Sequence, residues 1–191
     1  MEPIERRAFV ECRIDAIDSH RLRGYAIVFN ARSQNLGGFQ EVIAPEAIDR
    51  TFKEALDVRA LVNHDSAKVI GRLRAGTLQM QKDATGLRVT IEPDLEISYA
   101  KDIMLEVRRG DVSGMSFAFR TIEDDWNYDD ETMPLRTVLD MRVSEVSIVT
   151  FPAYTQTDIQ VAQRSMQDFQ ALHRKGMSLD FARKLHRTRL A

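Results

Sequence analysis

The chain has 191 residues, 43% hydrophobic and 29% charged, which suits one domain with an appendage. A chain this long buries about two-thirds of its unfolded surface, so no disulfide or metal staple is required; the single cysteine, Cys12, is expected as a small strand residue, with a cysteine nucleophile as the alternative. No segment approaches the ~20 apolar residues that cross a bilayer, and MEPIERRAFVE lacks a signal-peptide apolar run, so an intracellular setting is expected.

Along the chain, residues 5–17 alternate apolar and polar and predict a strand. Ser19 and His20 mark a turn, and RLRGYAIVFN (21–30) predicts the second strand of an antiparallel hairpin. ARSQNLGGF (31–39) reads as a polar loop. PEAIDRTFKEAL (45–56) predicts a helix, with Pro45 in its first turn and Ile48, Phe52 and Leu56 on one face. VRALVNHD (58–65) is a short apolar strand that ends in polar residues. Residues 77–82 and 86–92 predict a second hairpin about the Asp83–Gly86 turn. Residues 98–109 predict a helix, with Ile103 and Val107 four apart and Gly110 as its stop. VSGMSFAFRTIE (112–123) is β-rich, DDWNYDDETMP reads as an acidic loop, and residues 135–154 have strand propensity up to Pro152. Two helices are expected beyond Thr157, separated by Gly176. Antiparallel hairpins dominate and βαβ alternation is missing. The expected fold is therefore mainly β with peripheral helices, α+β in class, as a partly closed antiparallel barrel. Residues 1–160 form the barrel domain and 161–191 a helical tail.

Charge divides unevenly along the chain. Residues 163–191 carry +5 and the remainder −7. The tail is thus either a solvated helical extension or an arm for an acidic partner.

Four histidines are present: His20, His64, His173 and His186. His64 closes an apolar strand between Asn63 and Asp65, where the strand fixes its backbone and its ring can face a cleft. An imidazole ionises near neutral pH, as a general base requires. A partly buried histidine bonded to a nearby loop is the other reading. Among serines, Ser116 lies in VSGMSFAF. Strand alternation puts Met115 with Phe117 and Phe119 on the core face, and Ser116 with Ala118 on the other. GxSxA without a strand–elbow–helix context is a poor match to an α/β-hydrolase, and a structural strand serine stays open. Glu145, in RVSEVSIVT, is a carboxylate in an apolar strand and asks for a partner. It either orients the imidazole or pairs with Arg142 or Arg120; Asp65 and Asp140 are rivals for the orienting role. With no HExxH, CxxC, Walker A or Rossmann glycine pattern, neither metal nor other cofactor is expected.

Taken in order, RGYAIVFN, FQEVIAPEAI, LVNHD with IGRLRAGTLQM, GDVSGMSFAF and SEVSIVTFPAY resemble the phage prohead protease family. These are serine peptidases distantly related to the herpesvirus capsid-maturation protease. The resemblance covers about residues 8–160. It implies a barrel of the herpesvirus-protease type, with His64 as base and Ser116 as nucleophile. In the herpesvirus relatives the third member is a second histidine downstream of the serine. This chain has no histidine between Ser116 and His173, and the third role is carried to Glu145. Arg142 or backbone near Gly114 are the candidate oxyanion donors. The implied substrate is scaffold protein or the scaffolding domain of the major capsid protein, inside the assembling procapsid in the host cytoplasm. Self-cleavage and a homodimer are further expectations of the resemblance. The tail then becomes a packaging signal or a segment removed on activation. Two rivals stay open: a non-catalytic prohead or scaffold protein with a protease-like barrel, and a basic-tailed nucleic-acid adaptor. The acidic body weighs against the adaptor. No membrane partner is expected.

Overall fold

In a computed structural model the described residues are 4–128, 133–151, 156–174 and 185. Ten strands run in chain order: β1 (Glu5–Arg7), β2 (Ile14–Ala16), β3 (Leu22–Val28), β4 (Gln40–Ile43), β5 (Arg59–Val62), β6 (Asp65–Arg72), β7 (Leu78–Lys82), β8 (Gly86–Ile91), β9 (Gly114–Asn127) and β10 (Leu135–Val149). A 3-10 turn (Pro45–Ile48) leads into α1 (Asp49–Lys53); α2 spans Ser98–Arg109 and α3 Gln156–Arg174.

The mainly-β, α+β class holds, but neither sheet closes into a barrel among the described residues. One sheet has the order β1-β9-β10-β5-β6, with β4 also on β10; the other has the order β2-β3-β8-β7. The N-terminal segment expected as a single strand is divided between the two sheets. It breaks at residues 8–13, so that β1 pairs with β9 in the first sheet and β2 pairs with β3 in the second. The link between them bonds back to β9, Met115 N–H donating to Cys12 O and Ile14 N–H to Ser113 O. A segment that changes sheets makes a corner joining them on that side, whereas no ladder pairs the opposite edges, β6 and β7, among the described residues. Gly24 on β3 permits the corner, because a Cβ there would lie 1.9 Å from Arg13 O.

Three further expectations are corrected. First, β10 pairs parallel with both β4 and β5, one after the other along its length, besides its antiparallel ladder with β9. Parallel pairing between segments so distant leaves no local turn signature. Second, the acidic loop begins later than read: β9 continues to Asn127, with Asp124 and Trp126 buried. Residues 129–132 of that loop lie outside the described residues. Third, the helix expected over 45–56 is a 3-10 turn plus α1, and Phe52 is exposed rather than facing the core. The second hairpin (β7–β8) and α2 fall where expected, Gly110 ending α2 at φ 81°.

The main core lies between the sheets and takes Met115, Phe117 and Phe119 from one face of β9, with Val143, Val146 and Ile148 from β10. A second apolar cluster joins Leu36, Phe39 and Trp126 to Ala162, Phe169 and Leu172 of α3. The helix expected beyond residue 176, including His186, lies outside the described residues except for Leu185.

Candidate active site

Three adjacent segments of the first sheet converge here: β9, β10 and the β5–β6 turn. That turn is Asn63-His64, both at positive φ (50° and 58°), as a two-residue hairpin of the I′ type requires. Asparagine and histidine are among the side chains that tolerate this region. The turn is clamped to the end of β10. Asn63 N–H donates to Ile148 O at 2.9 Å, Asn63 Nδ2 donates to Thr150 Oγ1 at 3.2 Å, and Thr150 N–H donates to Asn63 Oδ1 at 2.9 Å.

On β10 a register shift lies between Val143 and Glu145. Val143 points into the core, and without the extra residue Glu145 and Ser147 would share that face. The bulge at Ser144 reverses the parity, so Val146 and Ile148 enter the core and Glu145 and Ser147 turn to the opposite face. Ser147 then stands directly opposite Ser116 of β9. On β9 the alternation expected from the sequence is observed: the phenylalanines fill the core, with Phe117 and Phe119 ring centroids 5.2 Å apart, and Ser116 faces away.

The structure thus brings together the three residues nominated from the sequence. His64 Nε2 lies 2.7 Å from Ser116 Oγ, and His64 Nδ1 lies 2.5 Å from Glu145 Oε1. A carboxylate accepts from Nδ1–H, and in that tautomer Nε2 has the lone pair that a serine proton requires. The His64 and Glu145 side chains are 18% and 12% exposed, while Ser116 is buried. Its hydroxyl is also within donating distance of the backbone carbonyl of Arg7, at 2.9 Å, a second acceptor for the same hydrogen.

The rival carboxylates are engaged elsewhere. Asp140 pairs with Arg50, and Asp65 Oδ1 accepts the Ala67 N–H within its own strand. Arg142, named both as a partner for Glu145 and as an oxyanion donor, forks onto Glu54 at 2.7 and 2.8 Å. Gly114 is ladder-paired with Val149 and bridged to Arg13. His20 is exposed and contacts Ser19. Cys12 lies in the link between β1 and β2 rather than in a strand, and burial pushes its thiol up to about 12, the opposite of an activated nucleophile.

Two features escaped the sequence reading. Ser147 follows Glu145 by two, a period-2 signal that could have been read once Glu145 was singled out. The Arg7 carbonyl had no signal, being backbone from the far end of the chain. What holds Arg7 there is a buried charge cluster. Arg7 Nε and Nη2 donate to Glu41 and Glu5, and Arg136 donates to Glu5, Glu41 and Asp124, at 2.6–2.8 Å for the closest contacts. Each of the five side chains is at most 1% exposed. Burial alone raises the Glu5 carboxyl, but Arg136 and Arg7 beside it outweigh burial and hold it below the usual range. Ser165 of α3 closes the cluster, donating to Asp124 Oδ2 at 2.8 Å and accepting from Trp126 Nε1 at 3.0 Å.

A family model described as caudovirus prohead serine protease matches residues 9–171 of the chain. Neither the curated proteins nor the solved structures gave a match.

Proposed function

This chain belongs to the caudovirus prohead serine protease family, and we propose that it is a serine endopeptidase whose nucleophile, base and orienting carboxylate are Ser116, His64 and Glu145. The observation that carries the reading is the continuous hydrogen-bonded line from Glu145 through His64 to Ser116. In the first step His64 Nε2 removes the proton as Ser116 Oγ bonds to the scissile carbonyl carbon. Collapse of that adduct breaks the C–N bond, and Nε2 returns the proton to the leaving amine. Water then enters by the same route, and the acyl–oxygen bond of the ester breaks to free Ser116. Glu145 faces the ring as positive charge develops on it.

The substrate in this reading is scaffold protein or the scaffolding domain of the major capsid protein within the procapsid. The chain also cuts itself. The basic tail is either a packaging signal or a segment removed in that self-cleavage. No helix among the described residues is long and apolar enough to cross a membrane. The decisive experiment co-expresses the chain with its cognate capsid and scaffold proteins, comparing wild type with Ser116→Ala and His64→Ala. Both variants are expected to leave the capsid protein untrimmed and the enzyme chain at full mass. Trimming that persists in either variant overturns the assignment.

A further inference from the structure

We propose that Ser147 is a positioning residue of this site, a single hydroxyl that fixes both the Glu145 carboxylate and the His64 backbone; the assignment rests on the peptidase reading above. Ser147 is fully buried. Its hydroxyl donates to Glu145 Oε2 at 2.6 Å, while Oε1 of the same carboxylate takes Nδ1 of His64 at 2.5 Å. With a donor on each oxygen the carboxylate plane is set, and Oε1 cannot swing from the ring without breaking the Ser147 bond. The Ser147 oxygen in turn accepts the His64 backbone N–H at 3.2 Å. That N–H belongs to a residue at φ 58°, a conformation that side chains other than glycine adopt at some cost. One hydroxyl therefore ties the carboxylate to the backbone that carries the base, and it does so from the position facing Ser116 across the β9–β10 ladder.

A serine kept only for packing would need neither bond. Here the donor and an acceptor site are both used, and both partners belong to the proposed machinery. Alanine at 147 would leave Oε2 without this donor and the His64 N–H without this acceptor, in a place water reaches poorly. The carboxylate could then rotate, and the ring would lose its fixed orientation in the step where its charge develops. Ser147 touches no reacting atom, so its effect must pass through Glu145 and His64.

The test measures how fast a fluorophosphonate labels Ser116 in the full chain, resolving the maximal rate kinact from the probe affinity KI. Ser147→Ala is expected to lower kinact about tenfold with KI unchanged, and Ser147→Thr, which keeps the hydroxyl, to stay within about threefold of wild type. Placed in a Glu145→Ala background, Ser147→Ala is expected to cost clearly less than in wild type, about threefold or below, because one of the two groups it fixes is gone while its bond to the His64 N–H remains. Ser147→Cys, close in size and a weak donor, serves if the alanine variant fails to fold, and is expected to show the same loss. A labelled wild type indifferent to Ser147→Ala or Ser147→Cys overturns the assignment alone. So does a loss that persists in full without Glu145. A wild-type chain that takes up no probe at Ser116 overturns the peptidase reading and this assignment with it.

Discussion

The Ser116 hydroxyl lies within donating distance of the Arg7 carbonyl, at 2.9 Å, while it stands 2.7 Å from Nε2 of His64. A hydroxyl has one hydrogen, so the two acceptors compete for it. With the hydrogen toward Arg7, Nε2 must itself be protonated to bond Oγ, and the serine is not activated. With it toward Nε2, the Arg7 carbonyl loses this donor. Under the proposed mechanism, the readiness of Ser116 should therefore depend on how firmly β1 is seated. Glu5→Gln removes one carboxylate from the cluster that seats it. If this loosens β1 by about 1 kcal/mol, fluorophosphonate labelling of Ser116 should rise about fivefold. Faster amide exchange in β1 with an unchanged labelling rate would show that the carbonyl does not restrain the serine.

Substitutions at Ser116 and Glu145 should separate activity from folding. Ser116→Ala is expected to reduce capsid-protein cleavage by at least about 10³-fold, as loss of a triad member does elsewhere. Glu145→Gln keeps the shape but offers the ring an amide in place of a charge, and a drop of about 10³–10⁴ in kcat is expected. Near-wild-type circular dichroism with lost cleavage is the supporting result. Retained cleavage in Glu145→Gln would remove the carboxylate from the mechanism.

The Asn63 clamp can be tested in two halves. Asn63→Gly keeps a residue suited to φ 50° but deletes both side-chain bonds to Thr150. Asn63→Ala deletes the bonds and adds backbone strain, so it should be less stable than the glycine variant by about 1 kcal/mol. Both should cleave more slowly, because each frees the turn that presents His64. Urea denaturation separates the two contributions. Equal stability of the two variants would argue against strain at this turn.

The buried cluster predicts a strong dependence of stability on its guanidinium groups. Arg136→Ala leaves Glu5, Glu41 and Asp124 crowded in the interior with one guanidinium fewer, and should cost about 3–5 kcal/mol. The sign of the pH effect follows from Glu5, whose folded carboxyl titrates below the usual carboxylate range. The unfolded chain takes up this proton at higher pH than the folded one. The Glu5 contribution is therefore fully present above pH ~4.3 and is lost as pH falls through the folded value. Urea midpoints measured from pH 7 to pH 3 should fall less steeply in Glu5→Gln than in wild type.

Cys12 should behave as an inert thiol. Burial disfavours its thiolate, pushing the thiol up to about 12. Iodoacetamide should modify the native chain far more slowly than the urea-unfolded chain, and cleavage should survive the treatment. Rapid alkylation of native protein together with loss of activity would contradict both the burial and the serine mechanism.

Local signals carried much of this protein. The β7–β8 hairpin was legible because Asp83–Gly86 sits between alternating segments, and α2 because its apolar spacing ends at Gly110. The face of β9 followed from alternation alone, which set Ser116 apart from Phe117 and Phe119. His64 and Ser116 could be nominated because their residue types and flanking motifs are local facts. Glu145 stood out because a carboxylate in an apolar strand needs a partner, although the sequence left arginine and histidine both open.

Pairings between distant segments were another matter. Parallel registry of β10 with β4 and β5, the corner that splits the N-terminal strand between two sheets, and the seating of Arg7 over Ser116 have no turn or period to announce them. They arise when buried charges and apolar faces find partners from remote parts of the chain, as Glu5 finds Arg136. The bulge at Ser144 is the clearest case. One residue without a ladder partner reverses which side chains face the core, and so decides that Glu145 and Ser147 meet His64. Residue types and local periodicity therefore specified which groups were available. Packing of distant segments alone decided which of them stand within hydrogen-bonding distance, because that choice depends on registry and burial across the whole sheet.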